Sequence, residues 1–102
     1  MIRIAAEKNF ENKIKKFLEE NGCWYVKFFA NAYTKVGVPD ILACVNGHFV
    51  GIEVKAPNGK PSKLQLYNID QIKKSGGIAM VLYPKDFDSF KNIIFELLKK
   101  TN

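Results

Sequence analysis

The chain has 102 residues, of which 47% are hydrophobic and 25% charged. That length supports a real core but leaves no room for a second one, so we expect a single domain over residues 1–102. Its apolar runs are too short to span a bilayer, and the first residues lack the apolar stretch of a signal peptide. The two cysteines have no metal-ligand spacing, so we expect unpaired thiols in a reducing, cytoplasmic compartment with no membrane partner.

The net charge of +6 favours a polyanionic partner such as a nucleic acid. Its distribution is more informative than its total. Between Asn21 and Ile69 the only acidic residues are Asp40 and Glu53, whereas the same stretch holds five lysines. Two acids alone in a basic neighbourhood suit a metal site that faces phosphate.

The first third of the chain predicts a helix, a strand and a connection. Residues 7–20 carry apolar side chains at helical spacing, namely Phe10, Ile14, Phe17 and Leu18. Asn21-Gly22 is typical of a helix C-cap. Residues 23–30 are apolar and aromatic and predict a strand, and residues 31–38 form a polar connection.

Asn46-Gly47 lies between two apolar runs and predicts a β-hairpin with a two-residue type I′ turn. Its strands would be residues 41–45 and 49–56, in a central position because both faces are largely apolar. In the register set by that turn, Asp40 falls directly opposite Glu53. Directly opposed carboxylates repel each other, which indicates a cation between them. Lys55 projects from the same face as Glu53.

The remainder predicts a second helix, a strand and a third helix. Ser62 is a candidate N-cap, the inner stripe of the second helix would be Leu66, Ile69 and Ile72, and Gly76-Gly77 would end it. Residues 78–83 predict a buried strand. Residues 86–100 predict a helix whose inward side chains are Phe87, Phe90, Ile94 and Leu97. The order αβββαβα indicates an α/β fold with a mixed sheet between helices.

Asp40 and Glu53 are candidate ligands for Mg²⁺, which prefers oxygen donors, and the backbone carbonyl of Val54 could supply another. Such an ion would polarise a phosphodiester and activate water, and Lys55 could hold that water or stabilise the growing negative charge. The alternative is a solvated Asp in a turn and an ordinary Glu-Lys pair on an edge strand. Ile52 and Val54 count against it, because they flank Glu53 in a strand that looks central.

Pro39-Asp40 followed by Glu53-Val54-Lys55 resembles the motif of the PD-(D/E)XK nucleases. The wider pattern is similar to the VRR-NUC (virus-type replication-repair nuclease) branch and to small Holliday-junction resolvases, through segments 37–42, 52–56 and 62–65 and through Gly76-Gly77. The resemblance implies a restriction-endonuclease-like αβββαβ core, with the mixed sheet flanked by helices and a C-terminal helix added.

The resemblance also implies two further catalytic residues, a Glu on the first helix and a Gln on the second. Glu11 fits the first role and would bind the metal through water or a second ion. Its alternative role is a surface pair with Lys15, one helical turn away. Gln65 fits the second role and could orient Lys55 or contact the phosphate. Its alternative role is a capping box with Ser62, and the two roles are compatible.

Candidate contacts to nucleic acid flank the motif in the sequence. They are Lys35, Lys60, Lys63, Tyr33, Thr34 and Tyr67. Contacts to phosphate of this kind give affinity without reading base sequence. Each lysine has an ordinary alternative as a solvated surface residue.

We therefore expect an endonuclease that needs Mg²⁺ or Mn²⁺ and hydrolyses DNA phosphodiester bonds. Because no separate target-reading domain is expected, recognition would depend on DNA shape, as at branches or junctions in replication, recombination or repair. A homodimer is expected by resemblance to small resolvases. The alternatives are a non-cleaving nucleic-acid-binding module of the same fold and an RNA-processing nuclease with the same site.

Overall fold

The computed structural model describes residues 2–101. Its elements are α1 (Ile2–Glu20), β1 (Trp24–Lys27), β2 (Ile41–Val45), β3 (His48–Val54), α2 (Lys63–Lys74), β4 (Ile78–Leu82), a 3-10 turn (Pro84–Asp86) and α3 (Phe87–Lys99). The αβββαβα order expected from the sequence is confirmed. No helix within these residues is long and apolar enough to cross a membrane.

The four strands form one mixed sheet in the order β1-β2-β3-β4. β1 and β2 are antiparallel, as are β2 and β3, whereas β3 and β4 are parallel and joined through α2. Helices α1 and α3 cover one face, and α2 packs on the other face over β3 and β4. The restriction-endonuclease-like fold implied by the resemblance is confirmed.

The hairpin has the predicted register. Val45 pairs with His48 and Ile41 pairs with Ile52. Asn46 and Gly47 have φ values of 49° and 84°, and a type I′ turn requires positive φ at both of its central positions. Asp40 and Glu53 are the next opposed positions beyond the last pair of this ladder.

The main core lies between the sheet and the two helices α1 and α3. The buried helical side chains are those the periodicity predicted, with Phe87 partly buried, namely Phe10, Ile14, Phe17, Leu18, Phe90, Ile94 and Leu97. They pack on the β2 and β3 side chains that alternate towards them, among them Ile41 and Ile52. Burying one such side chain contributes roughly 1.5–3 kcal/mol, so this layer fixes the sheet on which the site is built.

Several boundaries differ from the sequence predictions. α1 begins at Ile2 instead of residue 7, β1 covers only Trp24–Lys27 of the predicted 23–30, and β3 runs from His48 to Val54 instead of 49–56. β1 ends early because the chain turns away after the Phe28 N–H donates to the Asp40 carbonyl at 2.8 Å. The last helix starts one residue later, at Phe87, because the Pro84–Asp86 segment forms a 3-10 turn.

The predicted inner stripe of α2 is partly wrong. Leu66 is 49% exposed, and the buried residues of this helix are Asn68 and Ile69. The helix packs over β3 and β4 through the side that bears Asn68 and Ile69, and the side that bears Leu66 faces solvent. Ile72 does face the sheet, where its side chain lies against Gly51.

The connection before β2 is held against the start of α2 at Gly37. This residue has a φ of +83°, and a Cβ there would lie 2.8 Å from the Leu64 carbonyl group and 2.9 Å from Asn68 Nδ2. Asn68 also donates hydrogen bonds to the carbonyls of Val36 and Leu64, each at 3.0 Å. Only glycine allows this close approach, which fixes the path of the chain into Asp40.

Candidate active site

Asp40 and Glu53 lie where β2 begins and β3 ends, on the sheet face that also carries Gly51 and α2. The Val54 N–H donates a hydrogen bond to Asp40 Oδ2 at 2.8 Å. Lys55 Nζ lies 3.3 Å from Glu53 Oε2. The structure thus brings together Asp40, Glu53 and Lys55, as the hairpin register predicted.

Glu53 is a buried carboxylate that lacks full hydrogen bonding. It is 1% exposed, and its Oε1 has no hydrogen-bond partner among the described residues. Burial, and next the charge of Asp40, raise the pKa of Glu53 to about 8, although Lys55 acts in the opposite direction. Lys55 contacts only Oε2, so a further cation at the unpartnered Oε1 would stabilise the charged form of this buried acid. The alternative of a solvated edge-strand pair is therefore wrong for Glu53.

Glu11 reaches the same end of the sheet through Lys27. Lys27 Nζ lies 2.7 Å from Glu11 Oε1 and 3.6 Å from Asp40 Oδ1. Lys15 and Lys8 also contact Glu11, at 3.1 Å and 3.3 Å. Glu11 therefore forms the expected pair with Lys15 and also contacts Lys27, which links it to Asp40.

The charges around Glu11 and Lys27 reinforce each other. Burial alone would raise the pKa of Glu11, but the hydrogen bonds and charges of Lys27 and Lys15 outweigh it and lower the pKa to about 2. Burial alone would lower the pKa of Lys27, but Glu11 and Asp40 outweigh it and raise the pKa. Both groups are therefore charged at neutral pH, and Lys27 holds a positive charge beside Asp40.

The donors present fit a hard divalent cation. Asp40 and Glu53 supply adjacent carboxylates, and Glu53 Oε1 is a buried acceptor with no donor within the described part of the chain. Mg²⁺ is commonly held by one or two carboxylates, with water and substrate phosphate completing its shell. No third acidic, His or Cys side chain in residues 2–101 joins them in one cluster. Ligation by Glu11 and by the Val54 carbonyl stays a prediction.

Gln65 forms the capping box that was its alternative role. Its Oε1 accepts from the Ser62 N–H at 2.8 Å, and its own N–H donates to Ser62 Oγ at 3.1 Å. Two donors at the start of α2 are thereby satisfied. The proposed contact of Gln65 with Lys55 or phosphate stays a prediction.

The candidate nucleic-acid contacts lie on the surface around this end of the sheet. Lys35, Lys60 and Lys63 are all exposed, and Tyr67 is 55% exposed on α2. Thr34 belongs to a closed turn in which its Oγ1 accepts from the Asn31 N–H at 2.8 Å. Tyr33 projects from that turn and is 98% exposed. Their contacts with DNA stay predictions.

Sequence reasoning missed Lys27 and Asn68. Lys27 is a single cation at the end of an aromatic strand, and that contrast with its neighbours was a usable signal. Asn68 is a buried amide within the apolar side of α2, where a polar residue needs a partner such as the Val36 carbonyl. Neither contact follows from local sequence, because each joins segments that are distant in the chain.

Comparison with known proteins gives one family. No curated protein matches the chain. The family model described as Archaeal Holliday junction resolvase (Hjc) matches residues 5–101. This match spans every strand that builds the site and both Asp40 and the Glu53-Val54-Lys55 segment. The chain therefore belongs to the archaeal Holliday junction resolvase family, a group of PD-(D/E)XK-like, structure-specific nucleases.

Proposed function

We propose that this protein is an endonuclease that requires Mg²⁺ or Mn²⁺ and hydrolyses DNA phosphodiester bonds at branches or junctions. The observation that carries the proposal is Glu53, a buried carboxylate with an oxygen unpartnered among the described residues, next to Asp40 and 3.3 Å from Lys55. Family membership supports the junction as substrate. The more detailed likeness to VRR-NUC nucleases is a proposal that rests on the sequence pattern alone.

Asp40 and Glu53 would hold the ion, with Glu11 and the Val54 carbonyl as further candidates. When bound, the ion supplies a Lewis acid that polarises the scissile phosphate and activates water for attack. The Val54 N–H fixes Asp40 Oδ2 at 2.8 Å, and Asp40 Oδ1, which lies 3.6 Å from Lys27 Nζ, would face the ion. The backbone therefore orients this ligand before substrate arrives.

Lys55 is the candidate for supporting the attack directly. Its side chain is 14% exposed and its ammonium lies beside Glu53 Oε2, so it carries a positive charge into a partly desolvated place. There it would hold the attacking water and stabilise the negative charge that develops on the phosphate. Electrostatic stabilisation in such a site is stronger than in bulk water.

Lys27 and Glu11 would position these groups. The Lys27 ammonium lies between the Glu11 and Asp40 carboxylates, so it orients Asp40 and reduces repulsion of an approaching phosphate. Glu11, held charged by its lysines, keeps Lys27 in place. A homodimer would present two such sites to the paired strands of a junction in replication, recombination or repair.

The proposal is tested by cleavage of a labelled substrate panel. The panel comprises a four-way junction, a replication fork, a linear duplex and single-stranded RNA, with Mg²⁺, Mn²⁺ or a chelator. We expect metal-dependent cuts in the branched DNAs that chelator stops. Glu53→Gln and Lys55→Ala should abolish cutting while retaining DNA binding. Lys74→Ala is the matched control, since Lys74 is 69% exposed and its ion pair is with Asp70 on the same helix.

Binding without cutting in any metal would favour the non-cleaving module instead. Cutting of the RNA alone would favour the RNA-processing nuclease. Normal cutting by Glu53→Gln or Lys55→Ala would show that the assigned roles are wrong.

A further inference from the structure

The connection between β1 and β2 exposes aromatic side chains beside the site. We define the aromatic loop as residues 28–36. Within it Phe29 is 74% exposed, Tyr33 is 98% exposed and Val36 is 65% exposed. Large apolar side chains this exposed, this close together in the chain, are typical of a binding surface.

The aromatic loop is tied to the site at its first end. It follows Lys27 directly, and the Phe28 N–H donates to the Asp40 carbonyl at 2.8 Å. Lys27 Nζ lies 5.9 Å from the centre of the Phe29 ring, and the same ammonium contacts Asp40. One lysine side chain therefore separates the Phe29 ring from a proposed metal ligand.

Tyr33 is held outward by hydrogen bonds inside the loop. Asn31 Oδ1 accepts from the Tyr33 N–H at 2.7 Å, and the Asn31 N–H donates to Thr34 Oγ1 at 2.8 Å. The Thr34 N–H also donates to the Asn31 carbonyl at 3.2 Å. At the far end of the loop, Asn68 of α2 holds the Val36 carbonyl. The ring is presented by ordered backbone, which lowers the entropy cost of a contact.

The charge of the aromatic loop favours a polyanion such as nucleic acid over a basic or neutral partner. No Asp or Glu occurs from Asn21 to Pro39, whereas Lys27 and Lys35 lie at the base and near the end of the loop. Aromatic rings combined with cations form the stacking platforms on which proteins hold unpaired bases. Bases inside a regular duplex offer no free face to such a ring.

We propose that Phe29 and Tyr33 stack on unpaired or unstacked bases next to the scissile phosphate, and that this contact sets a preference for branched or single-stranded DNA over duplex. The inference takes the position of the scissile phosphate from the proposed function, but its test measures DNA binding and does not require cleavage. Lys35, which is exposed, would contact a flanking phosphate. The stacking contact is independent of base identity, because every base has an aromatic face.

The test measures binding without metal, in chelator, to a four-way junction, a single strand and a linear duplex. Tyr33→Leu and Phe29→Leu remove the ring but retain an apolar side chain. Tyr33→Phe and Phe29→Tyr retain the ring and serve as their matched partners. Val36→Ala is the control for a non-aromatic exposed residue of the same loop, and the melting temperature verifies that each variant is folded.

We expect each ring-removing variant to weaken binding to the single strand and the junction about 5- to 100-fold, as one lost stacking contact would. Duplex binding should change less than about twofold, as should all binding by the ring-retaining variants and by Val36→Ala. The fluorescent base 2-aminopurine, placed at the branch point, should be quenched on binding wild type and not on binding Tyr33→Leu.

Equal losses on duplex and branched DNA would overturn the inference, because they would indicate a general backbone contact. Equal losses for Leu and aromatic replacements, or for Val36→Ala, would overturn it in favour of an apolar protein-docking surface. Quenching without any cleavage would support the stacking contact and contradict only the proposed function. Cleavage of branched DNA, together with DNA binding that does not depend on the rings, would support the proposed function and contradict the stacking contact.

Discussion

The Asp40 side chain accepts a hydrogen bond from the Val54 N–H at 2.8 Å, at the place where the hairpin ladder ends. Side chain and backbone thus continue the pairing of β2 and β3 by one more step. This contact fixes Asp40 at the position opposite Glu53. The Asn-Gly turn at the other end of the hairpin sets the strand register, and that register places the two carboxylates of the site next to each other.

The metal-free protein should lose stability as pH rises from about 4.5 to about 8. Folding raises the pKa of Glu53 from 4.5 to about 8. Between these values the folded state holds one proton more than the unfolded state, so its free energy of unfolding falls with pH. The slope is about 1.4 kcal/mol per pH unit at most. Urea unfolding in chelator at several pH values measures it.

Glu53→Gln is the control for that pH dependence, because it cannot ionise. We expect its unfolding free energy to be flatter over the same range and higher than that of wild type near the upper end. Glu11 contributes outside this range, since its pKa is lowered to about 2 and its stabilisation is lost only as pH falls below about 4.5. The same slope in wild type and variant would show that Glu53 is not the responsible group.

Lys27→Met should destabilise the protein by about 1–3 kcal/mol, because it removes the 2.7 Å partner of a buried carboxylate while Lys15 remains. The pKa of Glu11 should rise from its value of about 2. Carboxyl titration by NMR measures the pKa, and urea unfolding measures stability.

Lys8→Met is the matched control, because Lys8 contacts the same carboxylate from a side chain that is 59% exposed. We expect it to cost less than about 1 kcal/mol, as exposed pairs do. Comparable effects of the two substitutions would contradict the claim that Lys27 stabilises the Glu11 carboxylate more than the exposed Lys8 does.

Gly37→Ala should destabilise the protein by about 2–4 kcal/mol and reduce cleavage. Its Cβ would lie 2.8 Å from the Leu64 carbonyl, at a positive φ. Gly22→Ala is the matched control, because Gly22 has a φ of +71° and an added Cβ there would have nothing within 4 Å. It should cost only about 1–2 kcal/mol and leave cleavage unchanged. Thermal unfolding and junction cleavage compare the two.

Gln65→Ala and Ser62→Ala should each lower stability by about 1 kcal/mol, since each breaks the same capping box. If Gln65 also contacts Lys55 or phosphate, Gln65→Ala should slow cleavage at least about tenfold more than Ser62→Ala does. This factor corresponds to a difference of about 1.4 kcal/mol in the activation barrier. Single-turnover cleavage below the melting temperature measures this. Equal rates would leave Gln65 as a capping residue alone.

The hairpin and its opposed acids were predictable because their determinants are local. Asn46-Gly47 sets the turn, the turn sets the register, and the register places Asp40 opposite Glu53. The inward faces of α1 and α3 were predictable for a similar reason, since one helical period covers Phe10 and Ile14 as it does Phe90 and Ile94.

The features that sequence reasoning missed depend on packing between distant segments. Leu66 matches the apolar stripe of α2, yet it is exposed because the helix packs on β3 and β4 in an orientation that buries Asn68 and Ile69 instead. Lys27 acquires its partners only when β1 lies beside α1 and β2. The end of β1 depends on the contact between Phe28 and Asp40, which no pattern within residues 23–30 encodes.

The most direct test of the account is the anomalous signal of a crystal soaked in Mn²⁺. We predict a peak between the carboxylates of Asp40 and Glu53, near Lys55, and its loss in Glu53→Gln. A structure without that peak at a Mn²⁺ concentration that supports cleavage, or with the ion bound elsewhere, would contradict the proposed site.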